Sequence, residues 1–185
     1  MTTYLFLVLS LFLPIILQPI RPSLGLIGLI FLMTFILPAL NFIFFKLTGT
    51  IENLAMPDRK QRILPFLFVS ALYSVVTFLF YWKVNIPYVT ILLLIVSVLV
   101  VSSACISIFY KVSIHSMAIS GIVGILLPLN KISNGLFLIP TVTFIVLAGL
   151  VMSSRLILNA HTPREILVGS LLGFGVGFAG ILILF

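Results

Sequence analysis

Apolar positions in this chain neither alternate nor keep to one helical stripe; they run almost unbroken, with short polar islands between the runs. A bilayer-spanning helix needs about 20 mostly apolar residues. Seven stretches qualify or nearly do: roughly 4–20, 24–46, 64–82, 88–109, 114–129, 137–154 and 164–185. The connections are short apart from Leu47–Ile63, which leaves no room for a soluble domain. The pattern predicts an all-α integral membrane protein, a single domain over 1–185 built as a polytopic bundle of six or seven transmembrane helices. Pro38 is expected to kink the second helix, and Pro65, Pro87 and Pro163 to sit near helix starts, where a missing N–H matters little. Tyr4, Tyr81, Trp82, Tyr88 and Tyr110 fall at segment ends, as interfacial aromatics do. Gly169, Gly173 and Gly177 form a small-residue stripe for close packing, with Gly121 and Gly124 in a similar role. Asn41 and Gln18 are isolated polar groups expected to bond to neighbouring helices.

Composition agrees with this picture. Hydrophobic residues make up 62% of the 185 and charged residues 7%, and the mean hydropathy is +1.41; a soluble domain carries far more charge. The net charge of +7 does not point to nucleic acid, because the basic residues lie at segment ends and suit anionic lipid or phosphorylated headgroups. The lone Cys105 excludes a disulfide framework and reads as a small buried packing residue. The start, Met1 to Tyr4, lacks a basic region and a cleavage site, so the first apolar run is expected to be a retained helix.

Counting spans adds a sidedness. The islands at 47–63, 110–113 and 155–163 follow the second, fourth and sixth runs, so all three fall on one membrane face. With the residues flanking them they hold seven of the ten Lys and Arg residues, against Arg21, Lys83 and Lys131 opposite. All three acids, Glu52, Asp58 and Glu165, share that richer face. By the positive-inside rule the richer face is cytoplasmic. Setting aside Arg59, Lys60, Arg62, Arg155 and Arg164 as retained for a ligand, however, leaves two against three.

Three of the islands can carry chemistry. In Ser154-Arg155 to Glu165, Arg155 offers a rigid guanidinium fork suited to phosphate oxygens. His161, six residues on, can act as a nucleophile. Glu165, four residues further, can fix the imidazole tautomer. Thr162-Pro163-Arg164-Glu165 reads equally as a capping box with Pro at the first helical position. In the second island, Ser113-Ile114-His115-Ser116 opens a helix, where unsatisfied N–H groups and the dipole favour an anion. Ser113 and Ser116 can donate hydroxyls, and His115 can deliver a proton to a leaving oxygen; a plain Ser cap before a water-facing His fits as well. The third, Asp58-Arg59-Lys60-Gln61-Arg62, is either a phosphate clamp through Arg59, Lys60 and Arg62 or an anchor to anionic lipid.

The first two islands together resemble the type 2 phosphatidic acid phosphatase (PAP2) superfamily of membrane lipid phosphatases. That family shows Pro-Ser-Gly-His and later Ser-Arg, five residues, His, three residues, Asp. Here Ser154-Arg155, His161 and Glu165 keep the later spacing with Glu for Asp, and Ser113 and His115 match the earlier motif without its Pro and Gly. The family's first motif, Lys, six residues, Arg-Pro, is absent, with the 59–62 run in its place. Two apparent helices also separate that run from Ser113, where the family normally has none. The resemblance implies a PAP2-like core over roughly 60–185. It implies that His161 forms a phosphohistidine, Glu165 orients it, Arg155 and the amides near Ser113 hold the phosphoryl oxygens, and His115 protonates the leaving oxygen.

The expected activity is therefore a membrane lipid phosphatase. Its substrate would be a lipid phosphate or diphosphate such as phosphatidic acid, phosphatidylglycerol phosphate, a polyprenyl diphosphate or a sphingolipid-type phosphate. No carboxylate cluster suits Mg²⁺, so neither metal nor cofactor is expected. The expected location is the bacterial inner (plasma) membrane, the resemblance placing the site on the outer face. A lipid phosphotransferase is a related reading. A non-catalytic lipid-binding, transport or scaffold protein is the alternative from another class.

Overall fold

The computed structural model describes Leu5 and residues 24–52, 60–84 and 86–184. Among them there are helices and no strand. Helix α1 (Leu24–Phe31) runs through a π-helical segment, Leu32–Ile36, into α2 (Leu37–Leu47). Then come α3 (Lys60–Leu79), continued by a second π segment, Phe80–Val84, and α4 (Pro87–Phe109). The chain ends in α5 (Ile114–Ile132), α6 (Leu138–Ile157) and α7 (Pro163–Leu184). Among the described residues six stretches are long and apolar enough to cross a bilayer: Gly28–Leu47, Gln61–Lys83, Pro87–Phe109, Ile114–Ile132, Leu138–Ile157 and Pro163–Leu184. Their outward side chains are apolar, as Ile139 at 78% exposure and Ile183 at 79% illustrate. Water would penalise such a surface and lipid does not, so this is an all-α integral membrane protein. The expected span at 4–20, apart from Leu5, lies outside the described residues, as do Arg21 and Asp58.

The described chain falls into two compact units. One is Leu32–Val112; the other joins Ser113–Phe185 to the N-terminal segment that ends at Phe31. In the first unit, a proline in the second span has a consequence for a neighbour. Pro38, in the first turn of α2, has no N–H for the carbonyl four residues back, which belongs to Thr34. The Tyr73 hydroxyl of α3 donates to that carbonyl at 2.9 Å. Asn41 likewise bonds a neighbouring helix, its Nδ2 donating to the Pro65 carbonyl at 3.3 Å. Edge-to-face pairs of Phe42 with Phe66 and of Phe45 with Phe68 complete the α2–α3 seam.

Two expectations change here. Helix α3 starts at Lys60, four residues before the apolar run, so Pro65 is inside the helix rather than at its start. Hydropathy cannot see this, because a helix continues past the membrane edge with polar residues. Cys105 is exposed rather than buried. A small apolar side chain has no need of burial when its outer surroundings are hydrocarbon.

The second unit is organised by α5. It is the least apolar of the six spans, with a mean hydropathy of 1.3, and the most buried, at 67%. Its partner is α7, and glycine governs their approach. A Cβ at Gly173 would collide with the Met117 carbonyl oxygen, one at Gly177 with that of Gly121, and one at Gly124 with that of Phe174. The pairs 117 with 173 and 121 with 177 increase together, so α5 and α7 run parallel. Both chain reversals use left-handed residues. Asn134 (φ 53°) follows α5 and Asn159 (φ 50°) follows α6. Each begins the paired Schellman bonds, Gly135 N–H to Asn130 O at 2.9 Å and Ala160 N–H to Arg155 O at 3.1 Å.

Gly173→Ala should destabilise the protein by about 1–3 kcal/mol, the usual cost of overpacking. Gly175→Ala, with nothing within 4 Å of the added Cβ, should be neutral. Reversible unfolding in detergent compares them, and equal stabilities would show that the α5–α7 approach is not glycine-limited.

Candidate active site

Two helix beginnings meet in the second unit. Because α5 and α7 are parallel, their N-termini lie at the same end, and the Ser113 N–H donates to the Glu165 carbonyl at 3.3 Å. Ser113 is the N-cap of α5. It is fully buried, as is Ser116, and the two hydroxyls bond each other at 2.9 Å. The Ser116 N–H donates to Ser113 Oγ at 3.4 Å. These hydroxyls are thus engaged inside the cap. His115, one residue into α5, is exposed.

At the start of α7, Thr162 fills the capping position: its Oγ1 accepts from the Glu165 N–H at 3.3 Å, and its carbonyl accepts from the Ile166 N–H at 3.2 Å. Only half of the anticipated capping box forms. The Glu165 carboxylate does not turn back to the Thr162 amide. Its Oε2 lies 2.6 Å from His161 Nδ1, and the two side chains are only 7% and 13% exposed. A carboxylate there is the acceptor, so Nδ1 carries the proton and the ring's second nitrogen, Nε2, holds the lone pair in the neutral tautomer. The negative charge also sits in the first turn of α7, where the helix dipole favours it.

Arg155 enters through the end of α6. The Schellman turn ties its carbonyl to the Ala160 N–H, the residue before His161, which makes the 155–161 segment compact. Its Nε is buried and has no hydrogen-bond partner among the described residues. A buried donor without an acceptor is costly; an anion reaching the site would supply one. Helices α6 and α7 touch where the Ser170 hydroxyl meets Met152 Sδ at 3.6 Å.

The remaining sequence candidates are in the other unit or outside the description. Arg62 is buried in the first turn of α3. Only the backbone of Lys60 is described, and Arg59 lies outside the described residues. Two residues gain a definite role here: Asn159, which sequence reasoning passed over and whose left-handed turn precedes His161, and Ser116, expected as a hydroxyl donor and found bonded within the Ser113 cap. An Asn just past a helix end signals the first. The Ser-x-x-Ser spacing at a helix start signals the second.

Residues 105–185 match the model of the PAP2 superfamily. The match takes in 81 of the 185 residues and contains both helix starts, Arg155, His161 and Glu165. It points to phosphatase-type activity on lipid-like phosphates. No curated protein and no solved structure matches the chain. Within the PAP2-matching segment Glu165 stands where the superfamily motif has Asp, and the longer side chain still reaches the imidazole.

The division of labour between Thr162 and Glu165 has a stability signature. Thr162→Ala should cost about 1 kcal/mol through loss of the cap, whereas Glu165→Gln keeps the Thr162 cap and should shift the unfolding midpoint less. Thermal unfolding of the two variants in one detergent checks this; a larger loss in Glu165→Gln would assign Glu165 mainly to holding the helix.

Proposed function

We propose that the protein is a membrane-embedded phosphatase that hydrolyses a lipid phosphate or diphosphate through a phosphohistidine intermediate. The observation that carries this reading is the His161 Nδ1 to Glu165 Oε2 bond at 2.6 Å, inside the PAP2-matching segment that also holds the buried, unpartnered Nε of Arg155.

Glu165 holds the Nδ1 proton, so His161 Nε2 is the nitrogen that attacks phosphorus. As the N–P bond forms, the bond from phosphorus to the lipid oxygen breaks, and His115, in its protonated form, gives that oxygen a proton. The imidazolium character that develops on His161 is balanced by the carboxylate of Glu165. Arg155 and the first-turn amides of α5, shaped by the Ser113 cap, take the charge on the non-bridging oxygens. In the second step neutral His115 accepts a proton from water, the oxygen of that water bonds to phosphorus, and the N–P bond breaks. Inorganic phosphate leaves and His161 is regenerated. Arg62, Lys60 and Arg59 join the reading from the sequence alone, as additional cationic groups for a diphosphate or monoester headgroup.

The candidate substrates share a phosphate at the membrane surface: phosphatidic acid, phosphatidylglycerol phosphate, a polyprenyl diphosphate or a sphingolipid-type phosphate. A plasma membrane with the site on its outer face is the setting this reading assigns. The second reading, a non-catalytic lipid-binding, transport or scaffold protein, draws on one observation: the chain lacks the family's first motif.

Purified protein in detergent should release inorganic phosphate from at least one of these lipids without added metal, and vanadate should inhibit it. His161→Ala should abolish release, Glu165→Gln should reduce kcat about 10²–10⁴-fold, and Thr162→Ala should leave kcat near wild type. Binding of lipid phosphates without turnover across that panel would favour the second reading. Transfer of phosphate to an added alcohol in preference to water would identify a phosphotransferase.

A further inference from the structure

We propose that the groove between α3 and α4 binds one anionic phospholipid, with its phosphate at Lys83 and an acyl chain lying along the groove. The pocket has a volume of about 450 Å³, and its walls mix Phe78, Leu94 and Val98 with the hydroxyls of Tyr81, Thr90 and Ser102. It lies wholly within the unit Leu32–Val112. From Thr90 to Ser102 the groove follows about 18 Å of α4, at 1.5 Å rise per residue, which is the scale of an extended acyl chain rather than of a small solute.

Several wall hydroxyls are consumed internally: Thr77 Oγ1 and Ser97 Oγ are 2.6 Å apart, and Ser97 donates to the Tyr73 carbonyl at 3.0 Å. Thr90 donates to the Ile86 carbonyl at 3.1 Å. Tyr81 and Ser102 have no hydrogen-bond partner among the described residues. A hydroxyl donor facing a bilayer without an acceptor is unfavourable, and the ester carbonyls of a phospholipid are acceptors at the depth of Tyr81.

The mouth of the groove supplies the charge. There α3 changes to a π-helical turn, Phe80–Val84, a geometry often found at functional positions. It leaves Tyr81 and Trp82 71% and 64% exposed, and it sets Lys83 Nζ 4.2 Å from the centre of the Trp82 ring. Among the described residues of the same unit the only acid, Glu52, belongs to the other end of α3, its N–H bonded to the Gln61 side chain. Among the described residues of this unit, then, no carboxylate meets Lys83 at this end, and an anionic headgroup complements it. A zwitterionic lipid satisfies the apolar walls equally but brings its own cation to Lys83.

Trp82 is the only tryptophan of the chain, so its fluorescence reports the mouth of the groove directly. The test uses full-length protein in vesicles containing acyl-brominated phosphatidylglycerol or acyl-brominated phosphatidylcholine. The anionic lipid should half-quench Trp82 at about one-fifth of the mole fraction the zwitterionic lipid needs, the preference one surface lysine confers. Lys83→Gln, an exposed substitution, should erase that preference. Val98→Phe, which fills the groove, should remove the saturable part of the quenching by both lipids. Equal quenching in the wild type, or a preference that persists in Lys83→Gln, would overturn the proposal. So would shielding of Trp82 from both lipids that increases with protein-to-lipid ratio, which would place a second copy of this chain over the groove. The readout is independent of phosphate release, so its failure leaves the phosphatase reading where it stands.

Discussion

The contact on which the second unit depends is backbone against backbone: α5 and α7 approach until Gly173 and Gly177 leave no room for a Cβ beside the Met117 and Gly121 carbonyls. Without a hydrophobic force between helices in lipid, such close packing is a principal source of association. Here it also has a directional consequence. Because α6 carries the chain back across, α5 and α7 are parallel, and their positive dipole ends lie together with the Ser113 to Glu165 bond between them. Two like helix ends side by side repel and also raise the local potential for an anion. The only acid in Ser113–Phe185 is Glu165, and its charge is committed to His161. The geometry thus gathers two positive helix-dipole ends at one point of the unit.

Glu165 illustrates how one residue resolves between two roles the sequence offers it. A capping-box Glu and a His-orienting Glu require different rotamers. Thr162 can cap α7 without help, since its hydroxyl already accepts from the Glu165 amide, so the carboxylate is released to reach back one turn to the imidazole. An Asp at this position would be one methylene shorter. The Schellman turn at Asn159 fixes the end of α6 just before His161, and from there the imidazole meets the longer Glu165 side chain at 2.6 Å.

Much of this was legible in the sequence, for physical reasons that differ by feature. Span positions follow from transfer free energy, which composition records directly, and so six of the expected helices appear with ends shifted by a few residues. The glycine stripe was readable because only glycine permits backbone contact at four-residue spacing. The His161 and Glu165 pairing followed from a separation of four residues, although its competition with capping did not resolve until the rotamer was known. Other features had no sequence signal of this kind. The early start of α3 depends on polar residues that continue a helix beyond the membrane edge. The bond from Tyr73 to the Thr34 carbonyl joins residues 39 apart, a pairing that no local pattern encodes. Cys105 was misplaced because burial was inferred from hydrophobicity, a rule that holds in water and lapses in lipid.

Serine and threonine show the same dependence on surroundings. In α3, Ser70, Ser74 and Thr77 each donate to the carbonyl four residues back, the economical way to carry a hydroxyl through hydrocarbon. At the start of α5, Ser113 and Ser116 instead satisfy a helix end and each other. Once these uses are subtracted, some polar atoms of the described residues stay unengaged, a buried Asn130 Oδ1 acceptor among them. The Nε of Arg155 is one, in the segment that matches a phosphatase family; the hydroxyls of Tyr81 and Ser102 are others, on the wall of a lipid-sized groove. In a solvent that offers no hydrogen bonds, an unengaged donor is the strongest structural argument for a ligand. Under the two proposals, Arg155 would meet lipid at a reacting phosphate, and Tyr81 and Ser102 would meet it along an acyl chain.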